Sequence, residues 1–195
     1  MTYEVAQSRR VYDGSIIRVR VDTVEMPGGS RADREVVEHA DSVAVVAVDD
    51  RNRVLMIRQY RHPAGQYLWE LPAGLRDQPG EPPLETARRE LAEETGLAAG
   101  RWSTLVDLRP SPGMSTETVR VYLAGQLRAG DRSGDPAAEE RDLETRWIPL
   151  AQALAEVFAG RITNGLAVTG LLAAGARFGL TGGRSRPADD PWPDS

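Results

Sequence analysis

Between Gly74 and Leu97 the chain carries Glu81, Arg89, Glu90, Glu93 and Glu94 in a short span. The spacing predicts a helix from Pro83 to about Thr95, with Pro83 in its first turn and Gly96 as the residue that ends it. On that helix Leu84, Ala87, Leu91 and Thr95 recur at three- and four-residue spacing and form an apolar stripe. Glu90 and Glu94 are one turn apart and Glu93 lies beside them. Glu94 falls at the border of the stripe, where it should be only partly wet. Three carboxylates in the last two turns repel one another, and the helix dipole disfavours each by roughly 0.3–1 kcal/mol. A hard divalent cation, Mg²⁺ or Mn²⁺, would reverse both effects, because these ions take oxygen ligands. Arg89 could hold one carboxylate in place beside such an ion. Taken alone, the same cluster also reads as a solvated acidic face.

Composition narrows the chemistry. There is no Cys in the 195 residues, which excludes disulfides, thiolate metal sites and a Cys nucleophile. All 24 cationic residues are Arg, most simply through codon bias, so a P-loop lysine and a Schiff base are excluded. Any grip on phosphate must use the forked guanidinium. Net charge is −5 with no basic block, which argues against a nucleic-acid surface. The N-terminal segment has no apolar stretch of signal-peptide type. Gly165 to Leu180, interrupted by Arg177, is too short to span a bilayer. A cytoplasmic protein without a membrane role is expected.

The elements that must position these residues can be read along the chain. Ile17, Val19 and Val21 alternate with Arg18, Arg20 and Asp22 as in a half-exposed strand. A turn at Met26 to Ser30 returns the chain into a strand at Arg34 to His39. Ser42 to Val48 is nearly all apolar and β-branched, a strand buried on both faces. Val54 to Tyr60 is a second strand, Trp69 to Pro72 a short extended piece, and Gly74 to Gly80 a loop. Strands are expected near Ser103 to Leu108, Thr118 to Ala124 and Thr145 to Ile148. Helices are expected near Leu150 to Phe158 and from about Asn164 to Phe178. Arg128 to Asp142 reads as a mobile loop and Thr181 to Ser195 as a disordered tail. The fold class is α+β, with mixed strands and few helices. The domain division is 1–40 for the N-terminal antiparallel strands, 41–180 for the catalytic domain and 181–195 for the tail.

Gly74, Glu81 and the run Arg89-Glu90-Leu91-Ala92-Glu93-Glu94-Thr95-Gly96-Leu97 resemble the Nudix box. Every spacing from Glu81 onward fits; six residues rather than five separate Gly74 from Glu81, and a Gly/Pro loop absorbs one residue readily. Trp69 to Gly74, Gln59-Tyr60-Arg61, Arg34 to His39 and Pro112, 15 residues beyond Leu97, resemble the ADP-ribose pyrophosphatase branch, its actinobacterial members above all. The resemblance implies a Nudix α/β/α sandwich and a homodimer in which N-terminal strands complete the partner's substrate site. It also implies metal ligation by Glu90, Glu94 and the Ala73 carbonyl, with Glu93 as a further ligand and Glu81 paired to Arg89. The catalytic base then comes from the loop after the box, where Glu140 aligns better than Glu139. Arg34 and Arg61 are candidates for phosphate or adenosine contacts, as are Glu70, Pro112 and Met114 for substrate; each Arg is also readable as an ordinary exposed strand residue. Trp69 reads as a core aromatic or the flank of a base. His39 and His62 lend little support to a metal site or a triad. The implied reaction is hydrolysis of ADP-ribose to AMP and ribose 5-phosphate. The alternatives are another nucleoside diphosphate sugar such as GDP-mannose, a dinucleotide, or a module that senses ADP-ribose without cleaving it.

Overall fold

A computed structural model describes residues 3–130 and 143–180. Ten strands and three α-helices lie within them: β1 (Val5–Asp13), β2 (Ile17–Glu25), β3 (Arg31–His39), β4 (Ser42–Ala47), β5 (Arg53–Arg61), β6 (Gln66–Glu70), β7 (Ala73–Leu75), α1 (Pro83–Thr95), β8 (Leu97–Leu108), β9 (Val119–Ala129), β10 (Glu144–Pro149), α2 (Leu150–Phe158) and α3 (Gly165–Arg177).

The central sheet has the order β7-β4-β9-β8, with β4 and β9 parallel and the outer pairs antiparallel. All six residues of β4 are buried, because successive side chains enter two different cores. Val43, Val45 and Ala47 meet Ala87 and Leu91 of α1 on one side. Ala44 and Val46 meet Leu154 of α2 and Leu171 of α3 on the other. The result is an α/β/α sandwich, as the resemblance implies. On α3, small residues permit close approach: a Cβ on Gly170 would stand 2.6 Å from Leu71 Cδ1. A second sheet, β10-β5-β6, shares both cores through Leu55 and Met56. No helix of the described residues is long and apolar enough to cross a membrane.

The N-terminal unit is a separate antiparallel sheet, β1-β2-β3. It has one strand more than the alternation pattern reveals, since β1 is exposed at all nine positions and draws its order from pairing with β2. Gly74 and Leu75, expected in a loop, join Ala73 in β7 because Ser42, Val43 and Ala44 of β4 pair with these three residues. β8 begins at Leu97 rather than near Ser103, and β9 continues to Ala129, past the expected start of a loop at Arg128. The extension is mutual, with Leu97, Ala98 and Ala99 paired to Ala129, Arg128 and Leu127. The expected tail lies outside the described residues, as do most residues of the expected loop.

Candidate active site

Helix α1 is fixed at both ends by backbone chemistry. Pro83 opens it with a pre-set φ, and Gly96, at φ 69°, closes it with its N–H on the Ala92 carbonyl at 2.8 Å. Ala87 and Leu91 are fully buried against the sheet, and that anchoring sets the rotation of the helix. Glu90 and Glu94 therefore fall beside the apolar stripe and are more buried than the helical wheel alone suggests, at 8% and 6% exposure. Both carboxylates meet the backbone of β7. The Ala73 N–H donates to Glu94 Oε2 at 3.0 Å. Gly74 leaves room for Glu90, whose carboxylate fills the place a Cβ would take. Strand β7 is itself held by β4, and the Val45 N–H donates to the Pro72 carbonyl at 2.8 Å. Ala73, Glu90 and Glu94 are thus brought together by the sheet edge and one helix face. The residue added between Gly74 and Glu81 falls in the stretch before α1 and leaves the place of Gly74 on β7 intact.

Arg89 organises the other carboxylates. Its Nη1 donates to Glu90 Oε1 at 2.7 Å and to Glu93 Oε2 at 3.1 Å. Its Nε and Nη2 each donate to Glu81 at 3.3 Å, so Glu81 pairs with Arg89 as expected. Thr86 Oγ1 donates to Glu81 at 2.9 Å and braces that carboxylate. Burial works against the charge of Arg89, but Glu81, Glu90 and Glu93 outweigh it and hold the guanidinium above its ordinary range. The hydrogen bond from Arg89 holds the Glu81 carboxyl below the usual carboxylate range. Burial pushes the Glu90 carboxyl upward, with Arg89 opposing and Glu93 adding.

Among the described residues, no three Asp, Glu or His side chains converge into a ready metal cage. The donor set nevertheless suits a hard divalent ion: Glu90 and Glu94 are acidic, nearly buried and set against a backbone strand whose Ala73 carbonyl is an oxygen donor. A buried carboxylate such as Glu90, whose ionised form is disfavoured, gains most from a cation nearby.

The remaining candidates are distributed around this centre. Arg61, at the end of β5, forks onto Glu70 of β6, with Nε to Oε1 at 2.9 Å and Nη2 to Oε2 at 2.7 Å. Arg34 lies exposed on β3, with Nη1 on the Asp33 carbonyl. Pro112 and Met114 are in the loop between β8 and β9, and Met114 is 58% exposed. That loop is strung along β3, since the Val37 N–H donates to the Met114 carbonyl at 2.7 Å and the Thr116 N–H to the Val37 carbonyl at 3.0 Å. Trp69 packs at the margin of the α2–α3 core, with the Arg58 guanidinium 5.9 Å from its ring centroid. Glu139 and Glu140 lie outside the described residues. Sequence reasoning missed the bond from Ser42 Oγ to Glu117 at 2.8 Å, which ties the same loop to the first residue of β4. A lone hydroxyl at the head of an otherwise apolar strand was its one signal.

An acidic helix end is set against a sheet edge inside an α/β/α sandwich, with oxygen donors of the kind a hard divalent cation takes. Residues 38–165 match the NUDIX domain family and residues 3–37 match the nucleoside diphosphate sugar hydrolase N-terminal domain. The chain belongs to the Nudix family and is a Nudix hydrolase. It is 48% identical to an ADP-ribose pyrophosphatase of Mycobacterium tuberculosis, over 98% of this chain and 92% of that one. It is 36% identical to an ADP-ribose pyrophosphatase of Bacillus subtilis, over 74% of this chain and 77% of that one. Its fold matches the crystal structure of an ADP compounds hydrolase with a TM-score of 0.80 at 23% identity, covering 92% of this chain and 95% of the other.

Proposed function

We propose that the chain hydrolyses the pyrophosphate of ADP-ribose to AMP and ribose 5-phosphate. The observation that carries this reading is the convergence of Ala73, Glu90 and Glu94 at the β7–α1 contact. The likeness to two ADP-ribose pyrophosphatases supports the substrate. Glu90, Glu94 and the Ala73 carbonyl hold a divalent ion, Mg²⁺ or Mn²⁺, with Glu93 as a further ligand. When bound, the ion neutralises phosphoryl oxygens and lowers the pKa of water.

In the reaction, a water oxygen forms a bond to one phosphorus while the bond from that phosphorus to the bridging oxygen breaks. Glu140 accepts the proton of the attacking water, a role taken from the resemblance. Arg89 bridges Glu90 and Glu93 and offsets their mutual repulsion. Arg61 supplies a guanidinium for the diphosphate. Arg34, Pro112 and Met114 contribute to the adenosine and terminal ribose contacts.

The chain works as a homodimer in this reading. Ile17, Val19, Val21 and Val37 lie half-exposed on one face of the N-terminal sheet, and β1 is exposed throughout, a surface suited to a second copy.

Turnover of ADP-ribose by the purified protein, with Mg²⁺, with Mn²⁺ and with chelator, tests the reading against GDP-mannose and dinucleotides. Glu90→Gln and Glu140→Gln are each expected to lose at least about a hundredfold in kcat. Faster cleavage of GDP-mannose would overturn the substrate, and full activity in chelator would overturn the metal. An unimpaired Glu140→Gln enzyme would move the base elsewhere.

A further inference from the structure

Ser42 is the one polar residue of β4 and is itself 5% exposed. A buried hydroxyl is costly unless it is hydrogen-bonded, and an Ala would fill the strand as well. Here Oγ donates to Glu117 Oε1 at 2.8 Å. Among the described residues it is the one hydrogen-bond donor to that carboxylate, for His39 Nδ1 stands 3.9 Å away. Glu117 belongs to the β8–β9 loop that carries Pro112 and Met114. The Ser42 N–H also donates to the Thr118 carbonyl at 3.0 Å. Further back, the loop runs parallel to β3 at Val37 and Ser115, and the His39 N–H donates to Thr116 Oγ1 at 3.1 Å. Ser42 is buried and Thr116 exposed, so water can replace the Thr116 hydroxyl but not that of Ser42.

The head of β4 serves the candidate active site as well. Ser42, Val43 and Ala44 pair with Leu75, Gly74 and Ala73 of β7. Gly74 gives Glu90 its seat, and the Ala73 N–H holds Glu94. The anchor of the loop thus stands two residues, roughly 7 Å along the strand, from the position that holds Glu94. The faces differ. Val43 and Gly74 look toward α1, whereas Ser42 shares the opposite face with Ala44 and Val46, on the side of α2 and α3. Glu90 and Glu117 therefore approach β7 from its two sides. Because β7 is the last strand of its sheet, a molecule held at Glu90 can extend across that edge to the loop.

We propose that Ser42 is a positioning residue for recognition of the sugar end of the substrate: it touches no substrate atom and, through Glu117, keeps the β8–β9 loop in register with the donors on β7. The inference rests on the diphosphate-cleaving reading and on the part which that reading gives to Pro112 and Met114. Loss of the hydroxyl leaves the strand itself intact, since the Ser42 N–H still meets Thr118 and the pairing with Leu75 is made by the backbone. What is lost is the tie on Glu117, whose carboxylate is left half-buried without its donor.

The test is steady-state kinetics on nucleoside diphosphate sugars that differ in the terminal sugar, with Mn²⁺ binding followed by electron paramagnetic resonance. Ser42→Ala is expected to raise KM for the best substrate by about tenfold with kcat within about threefold. Its preference for that substrate over the next-best sugar is expected to fall by at least about fivefold. Mn²⁺ affinity is expected to stay within about twofold of wild type, because β7 keeps its backbone pairing. Glu117→Ala, in the loop and outside the core, is expected to show the same loss of preference. Ser42→Ala added to Glu117→Ala is expected to raise KM no further, because its effect passes through Glu117. A wild-type KM in Ser42→Ala, a loss shared equally by all sugars, or additive effects in the double variant would each overturn the proposal. A wild-type chain that binds Mn²⁺ yet cleaves no nucleoside diphosphate sugar would instead overturn the reading beneath it.

Discussion

Gly74 and Glu90 compete for the same space: a Cβ on Gly74 would stand 2.0 Å from Glu90 Cδ and 2.2 Å from Oε1. The glycine is needed here for close approach between a strand and a carboxylate, and its φ is not in the left-handed region. Through this contact the edge of the central sheet sets the position of an acidic group on α1.

Replacement of Gly74 by Ala should therefore act on chemistry more than on folding. The methyl group must turn Glu90 aside or push α1 outward, at a cost of about 1–3 kcal/mol in stability. Turnover is expected to fall by at least about tenfold, with weaker divalent-ion binding, because the carboxylate leaves its place beside Ala73. Steady-state kinetics across a Mg²⁺ titration, together with thermal melting, would separate the two effects. Unchanged kcat/KM at low Mg²⁺ would show that Glu90 does not need this seat.

Arg89 is expected to be irreplaceable by Lys. Its guanidinium spans Glu81, Glu90 and Glu93 at once, and an ammonium on a shorter reach can satisfy only part of that set. Arg89→Ala should cost about 1–3 kcal/mol, as hydrogen bonds to charged groups are lost in a partly buried place. Both Arg89→Ala and Arg89→Lys should lower kcat by at least about tenfold while leaving the circular dichroism spectrum unchanged. Recovery of full activity in Arg89→Lys would mean that charge alone suffices, and that the fork has no part in aiming Glu90.

Helix α1 was legible from sequence because three independent signals agree: the apolar stripe, Pro83 at the start and Gly96 at the end. The run from Ser42 announced a strand buried on both faces for the same reason of local consistency. What was not legible depends on pairing at a distance. β1 has charged residues at its centre and no alternation, so only its partner β2 defines it. β7 is three residues long and owes its conformation to β4. Arg61 and Glu70 were separately recognisable as candidates, yet their union depends on the register of the β5–β6 hairpin, set by the turn at Gly65 with φ 67°. Ser42 and Glu117 are 75 residues apart, and nothing local links them. The Nudix-box residues, in contrast, were placed by resemblance, which carries such long-range information already assembled.

Acid sensitivity should trace in part to the N-terminal sheet. Asp22 is nearly buried on β2, where Ser8 Oγ donates to Oδ1 at 2.6 Å and Arg20 Nε to Oδ2 at 2.9 Å. The hydroxyl of Ser8 foremost, and then Arg20, hold its carboxyl below the usual range, against the opposing effect of burial. The folded-state pKa is thus depressed below the unfolded value of about 3.9. Between the two values the unfolded chain binds more protons, so stability rises with pH there. The contribution of Asp22 is complete above about pH 4 and disappears as pH falls through the folded value. Urea unfolding from pH 7 down to pH 2.5 should show a lower midpoint for Asp22→Asn than for wild type at neutral pH, and the gap should close in acid. Glu81 and Asp107 are lowered as well, so both proteins will lose stability in acid; the difference between them isolates Asp22. A gap that stays constant from pH 7 to pH 2.5 would show that Asp22 acts through its shape and neutral hydrogen bonds, and that its ionisation contributes nothing to the strength of the sheet.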